Sequence, residues 1–336
     1  MKFEAPVLLV FHGATGGGAA ERMVADARAD AVRTTARAAI AGGIARVIVA
    51  TDQPGAFADC DGIVIDSDAG PFDFLGRVRR IVASHGLHRP VVMGSGSLPL
   101  MRAEDFARVV AELAGDGVCV TNNFFSSDLT GWTPGTAIAQ IADAPRDNML
   151  PRRLRDEAGL RAITLPRTTA THFDIDTPVD VAILALSGDR ERALPPGLSE
   201  VRERLIRLML VLCDRSAELV VAGRAGSEAW RYLERETACR VRMFSEERGM
   251  AAAGRGHQAR SVLGYLVEEV GVTGFFERMA TLGDALVLDT RVLEAHFGVE
   301  ASREDRFQSD MLNADAIEEP FLRELTRGAR ESRGLV

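Results

Sequence analysis

The architecture follows from a segment near the N-terminus, PVLLVFHGATGGGAAERM, residues 6–23. Its first six residues, Pro6–Phe11, are a continuous apolar run, the pattern of a strand covered on both faces. A glycine-rich turn follows, and then helix-forming residues. Such a strand–turn–helix unit is a ready anion site. Glycines let backbone N–H groups approach a phosphate closely, and a helix N-terminus adds positive potential.

Outward from this unit the alternation continues. Strand-like runs occupy 6–11, 45–52, 62–66, 89–94, 117–123 and 160–165, with helical stretches at 30–43, 72–86 and 102–115. Continuous apolar strands separated by helices predict an α/β fold with a mostly parallel sheet and helices on both faces. The polar segment 186–200, with Pro195-Pro196-Gly197, reads as a linker. Beyond it helix and strand alternate again: helix 198–214, strand 218–224, helix 227–237, strand 239–245, helices 261–270 and 273–282, strand 285–289 and helix 290–297. The expected organisation is a domain over 1–190 and a smaller α/β domain over 198–336.

The chain has 336 residues, 46% hydrophobic and 26% charged, with a net charge of −8. That balance suits a soluble globular protein and argues against a broad nucleic-acid surface, which needs clustered positive charge. The longest apolar runs are too short to span a bilayer, and no signal-peptide pattern opens the sequence. Four scattered cysteines lack C-x-x-C spacing and read as free thiols, so the expected location is the cytoplasm. Lys2 is the only lysine; the other 39 of the 40 basic residues are arginine. Chemistry that elsewhere rests on lysine must here use arginine.

Three motifs carry the functional reading. The first is the glycine turn, where Gly17, Gly18, Arg22 and Met23 form G-G-x-x-x-R-M, with Gly16 before them. The second is VVMGSGSLPLM (91–101), a strand running into a turn of small residues with Pro99 and Leu100. The third is FDIDTPVDVA (173–182). There Thr177, Pro178 and Asp180 form a helix start with a capping box, aided by the helix dipole at roughly 0.3–1 kcal/mol. Capping accounts for Asp180 but not for Asp176, because a cap needs only one acceptor.

Over residues 5–186 these motifs, in this order, resemble the GT-A-like nucleotidyltransferases. That group includes molybdenum-cofactor guanylyltransferase, phospholactate guanylyltransferase and sugar-phosphate nucleotidyltransferases. The resemblance implies that Gly16, Gly17 and Gly18 wrap the phosphates of a nucleoside triphosphate, GTP in the guanylyltransferases, and that Arg22 contacts them. Arg28 falls where the family has its catalytic lysine. Asp176 matches the carboxylate that holds Mg²⁺, with Asp174 beside it on the same strand face. The chain departs from the pattern at three places. Arg28 replaces lysine, and the two are not equivalent. Ser97 stands where the second motif has an aspartate, and a hydroxyl is a poor ligand for a hard cation. The turn before Gly17 is longer than usual.

The segment TNNFFSSDLTGWTPGT (121–136) reads as a loop at a strand end, where Asn122, Asn123 and Asp128 could recognise an acceptor. The RVRR run (77–80) and PRRLR (151–155) read as solvated helix faces or linker charge, either of which could greet a phosphorylated substrate. The expectation is Mg²⁺-dependent transfer of a nucleotidyl group from a nucleoside triphosphate to a small phosphorylated or acidic acceptor, with release of pyrophosphate. No nucleic acid or membrane is expected as a partner, and there is room for a homo-oligomer. The alternative is a nucleotidyltransferase-derived binding protein without turnover, whose C-terminal domain supplies the function. A dinucleotide binder fits less well, since no acidic residue closes a G-x-G-x-x-G unit at the expected distance.

Overall fold

The structure, a computed structural model, describes all residues except 1–3, 14–15, 61, 68–69, 71, 143–146, 188–192, 247–253 and 333–336. The middle of the segment read as a linker therefore lies outside the described residues. The chain divides into two units. The first comprises Met1–Gly17 and Arg22–Asp176, and the second Gly18–Glu21 and Thr177–Val336.

The first unit carries β1 (Val7–His12), α1 (Ala19–Ala41, begun in the second unit), β2 (Arg46–Thr51), β3 (Ile63–Ser67), α2 (Phe74–Ser84), β4 (Pro90–Gly94), α3 (Ala103–Glu112), β5 (Val118–Thr121), β6 (Leu129–Thr133), α4 (Leu150–Ala158) and β7 (Arg161–Thr164). The strands form one sheet in the order β3-β2-β1-β4-β6-β5-β7. All neighbours are parallel except β6, which runs antiparallel between β4 and β5. Alternate residues feed opposite faces. Leu8, Val10, Val47, Val49 and Val91 pack with α1 and α3. Leu9, Ile48, Ala50, Val92 and Trp132 pack with α2 and α4. The expected fold class is borne out.

Three readings need correction. The segment 121–136 is not a plain loop, since it contains β6. Its Leu-Thr-Gly-Trp-Thr sequence mixes turn formers with strand formers, but Leu129 and Trp132 are wholly buried. Gly131 is needed there, because a Cβ would stand 2.9 Å from Leu113. Next, α1 starts well before residue 30, the Ala-Ala-Glu-Arg-Met run being a good helix former throughout. Finally, RVRR is not simply solvated. Arg77 is buried and donates to the Asp66 carbonyl at 2.8 Å, and Arg80 pairs with the Asp66 carboxylate at 2.8 Å.

The second unit carries α5 (Pro178–Leu186), α6 (Ser199–Cys213), β8 (Glu218–Gly223), α7 (Ser227–Glu236), β9 (Arg240–Ser245), α8 (Val262–Met279), β10 (Ala285–Leu288), α9 (Arg291–Phe297), α10 (Arg303–Asp310) and α11 (Pro320–Glu331). Its three strands are parallel in the order β10-β8-β9. Helices α8, α9 and α11 pack on one face of this sheet. Helix α6 and Leu233 of α7 pack on the other. The two helices expected over 261–282 meet at a kink on Gly271, whose φ of 71° breaks the helical run. Among the described residues no helix is long and apolar enough to cross a membrane.

Candidate functional site

In the first unit β1 and β4 are neighbours, yet the chain leaves β1 towards β2 on the other side. That reversal is a topological switch point, where ligands of open α/β sheets sit beyond the strand C-termini. The glycine turn follows β1 there, and Gly94-Ser95-Gly96-Ser97 follows β4. The two ends are tied by the Ser95 N–H, which donates to the Phe11 carbonyl at 2.9 Å.

The second and third motifs meet at this place. Ser97 and Asp174 form an antiparallel bridge. Around it the Ile175 N–H donates to the Gly96 carbonyl (2.9 Å) and the Leu98 N–H to the Phe173 carbonyl (3.1 Å). The Leu98 N–H also reaches the Asp174 Oδ1 at 3.2 Å. Leu98 adopts a φ of 51°, an uncommon state for a side-chain-bearing residue. Glycine is required at 96, because a Cβ would lie 2.7 Å from the Ile175 carbonyl oxygen and 3.0 Å from the Arg28 Nε.

Arg28 reaches the same strand end. Its Nε donates to the Ile175 carbonyl at 2.7 Å, and its Nη2 lies 3.4 Å from the Asp176 Oδ1. The Asp176 side chain is 78% exposed, so the ion pair itself contributes little. Arg22 lies six residues earlier on α1, which turns it roughly 120° away at 3.6 residues per turn. Its guanidinium folds back onto the Gly17 carbonyl. The two guanidiniums therefore reach different places, the Gly17 carbonyl and the end of the third motif. Gly16 holds the turn with a φ of 94°. Ala14 and Thr15, in the longer part of that turn, lie outside the described residues.

Asp128, at the start of β6, completes a carboxylate group around Asp174. Burial, followed by the negative charge of Asp128, pushes the Asp174 carboxyl up to about 7. Burial likewise raises Asp128, which shares a hydrogen bond with Asp174. One proton between two carboxyls avoids two buried like charges. Asn122 is buried and fixes this pair. Its Nδ2 donates to the Asp128 Oδ2 (2.9 Å) and the Thr171 carbonyl (3.0 Å), and its Oδ1 accepts from the N–H of Asp128 (2.9 Å) and Leu129 (3.0 Å). Its amide is thus spent on the protein. Asn123 Oδ1 accepts from the Phe125 N–H at 3.1 Å. His12, at the end of β1, had no sequence signal beyond its position. Burial lowers its pKa against a hydrogen bond that the ring donates to the Gln53 side chain, and its Nδ1 has no partner among the described residues.

Within the second unit, the N–H groups that open α1 are already engaged. Glu304 of α10 accepts from Ala20 and Glu21, both at 3.0 Å, and Gln308 Nε2 braces it at 2.7 Å. Burial works against its charge, but these donors hold the Glu304 carboxyl below the usual range. A Cβ on Gly18 would collide with that carboxylate. Thr177 starts α5 as read, its N–H donating to the Asp180 Oδ2 at 2.8 Å.

No protein-family model matches this sequence. No curated protein matches it either. Among solved structures, the chain is similar to a protein from Desulfovibrio desulfuricans G20 described as a nucleotide-diphospho-sugar transferase. The match covers 60% of this chain and 97% of that one, at 18% identity and a TM-score of 0.44. A cytidylyltransferase from Leptospira borgpetersenii is matched over 61% of this chain and 96% of its own, at 13% identity and a TM-score of 0.42. A CMP:2-keto-3-deoxy-manno-octonic acid synthetase complexed with CTP is matched over 61% and 100%, at 11% identity and a TM-score of 0.34. No activity follows for this chain from likenesses at this level.

Proposed function

We propose that the first unit transfers a nucleotidyl group from a nucleoside triphosphate to a small phosphorylated or acidic acceptor. The observation that carries this reading is the bridge between Ser97 and Asp174. It joins two motifs that are remote in sequence, and Arg28 of the first motif's helix reaches the same strand end. In the reaction an acceptor oxygen attacks the α-phosphorus in line. The new P–O bond forms as the bond to the bridging α–β oxygen breaks, and pyrophosphate leaves with that electron pair. Arg28 neutralises charge on the transferring phosphate, a task that a guanidinium does through paired hydrogen bonds. Gly16, Gly17, Gly18 and Arg22 line the triphosphate, Ser97 lies beside it, and Asn122 positions Asp128 towards the acceptor side.

Asp176 and Asp174 are the residues that would hold Mg²⁺. Among the described residues no three His, Cys, Asp or Glu side chains form a metal set. Two carboxylates fit this ion nonetheless, because Mg²⁺ commonly takes one or two carboxylates and completes its shell with water and substrate phosphates. The carboxyl pair of Asp174 and Asp128, short of positive charge, is the donor chemistry such an ion requires. When bound, Mg²⁺ would supply charge neutralisation on the triphosphate.

A second reading, nucleotide binding without turnover, is favoured by Ser97, which leaves the second motif without a carboxylate, and by Arg28 in the place of a lysine. One experiment separates the two. The full chain is incubated with GTP, CTP, ATP or UTP, Mg²⁺ and a panel of phosphorylated and carboxylate acceptors, and pyrophosphate is measured. Release with at least one combination, abolished in Asp176→Asn, supports transfer. Saturable nucleotide binding with no release supports the second reading. Neither binding nor a Mg²⁺ effect overturns both.

A further inference from the structure

The second unit contains a cavity of about 310 Å³ that no part of the transfer reaction uses. Its walls are Ile183 of α5, Leu205 and Leu208 of α6, Phe276 of α8 and Leu325 of α11. Well-packed interiors hold few voids larger than a water molecule. Ligand pockets begin near 300 Å³ and are mostly apolar, with a small number of placed polar groups. Here that group is Asp310, at the end of α10.

The surroundings of Asp310 decide which ligand suits it. Thr177 offers it one hydroxyl hydrogen bond, while Asp180 and Glu294 add negative charge. Arg291 opposes them, and its guanidinium is held by Asp289 at 2.7 and 3.2 Å. Arg204, also in the wall, is engaged by the Arg330 carbonyl at 3.1 Å, the Ala329 carbonyl at 3.4 Å and Glu200 at 3.5 Å. Both guanidiniums near Asp310 thus already hold carboxylate or carbonyl partners, and most of the remaining wall is hydrocarbon, with Thr290, Ser309 and Thr326 adding hydroxyls.

We propose that this cavity binds a small apolar molecule bearing one amine, with its hydrocarbon body against α5, α6 and α11 and its nitrogen on the Asp310 carboxyl. At about 30 Å³ per atom, the share of a water in the liquid, the space takes roughly ten non-hydrogen atoms. Burial and the Asp180 charge push the Asp310 carboxyl up to about 7. An ammonium ion would reverse that balance and draw the proton off, so amine binding carries its own electrostatic reward. The inference stands apart from the transfer reading, because its residues all lie in the second unit.

The test uses the full chain at pH 7.5 with n-hexylamine, n-octylamine and n-dodecylamine, each below its micellar concentration, beside n-octanol and octanoate. Binding is followed by calorimetry and by ¹³C-methyl NMR of Ile183, Leu205 and Leu208. Octylamine should bind saturably, shift these methyls and exceed octanol and octanoate at least tenfold, whereas dodecylamine should gain nothing over it. Asp310→Asn should bring octylamine down to octanol, and Leu208→Trp should remove both. Absence of saturable methyl shifts in the unmodified chain overturns the site. Equal binding of amine and alcohol, a preference for octanoate, or an amine preference that survives Asp310→Asn overturns the assignment of ligand. The unmodified chain alone decides the matter if either variant fails to fold.

Discussion

Ser97 and Asp174 face one another across an antiparallel bridge, and the carboxylate of Asp174 turns back to accept the next backbone N–H, that of Leu98. A side chain that caps its partner's backbone cannot swing freely. The third motif is thereby fixed against the end of β4, and Asp176, two residues on, projects from a held strand into solvent. A rigid scaffold with an exposed carboxylate is what a metal-assisted transfer needs.

Gly96 is the tightest point of that scaffold. Gly96→Ala would press a methyl against the Ile175 carbonyl and Arg28 together, and overpacking of this kind typically costs about 1–3 kcal/mol. The expected result is a lower denaturant midpoint with an unchanged slope, together with weaker nucleotide binding because Arg28 is displaced. An unchanged midpoint would show that the bridge gives way easily.

Arg28 divides its donors between structure and charge. Arg28→Ala removes the 2.7 Å bond to the Ile175 carbonyl, a loss of about 1 kcal/mol, and it should lower pyrophosphate release by about 10²–10³. Arg28→Lys should recover part of the rate, since charge returns without the planar fork. Equal rates in all three proteins would remove Arg28 from the chemistry.

The sequence made the sheet legible because strands buried on both faces are written as unbroken apolar runs. It hid β6, where Gly131 and two threonines carry the pattern of a turn and only the wholly buried Trp132 and Leu129 betray a strand. Asp174, Asp176 and Arg28 were legible as a group through motif spacing. The coupling of Asp174 to Asp128 was not, since it depends on the hairpin of β5 and β6 and on Asn122 pinning it. Asn122 itself read as a substrate contact, but burial gives its amide to the backbone. Glu304 left no trace in sequence, because a carboxylate serving amides 283 and 284 positions away has no local signature.

Glu304 caps the start of α1 within the second unit. Glu304→Ala frees the Ala20 and Glu21 amides and should cost about 1 kcal/mol, as for the loss of a helix cap. Glu304→Gln, which stays a weaker acceptor, should fall between. Denaturant midpoints of the three proteins measure this, and an unchanged midpoint in Glu304→Ala would show that the contact contributes nothing to stability.

The raised carboxyl of Asp174 makes stability depend on pH in a particular direction. Its folded value is about 7, against about 3.9 for an unfolded aspartate. Between these values the folded chain keeps a proton that the unfolded chain has lost, so this group's contribution falls as pH rises from about 4 and is level above 7. Asp174→Asn keeps a neutral oxygen for the Leu98 N–H and never acquires the charge. The variant should therefore melt a few degrees above the parent at pH 8, and the difference should close by pH 4. Mg²⁺ with nucleotide should raise the melting temperature of the parent at pH 8, where Asp174 is ionised, and do less at pH 6; in Asp174→Asn the increment should be small at both. Melting curves across pH, with and without the ion, read all of these at once. Parallel pH profiles for the two proteins would mean that Asp174 holds no raised proton, and an undiminished Mg²⁺ increment in the variant would leave Asp176 as the sole carboxylate for the ion.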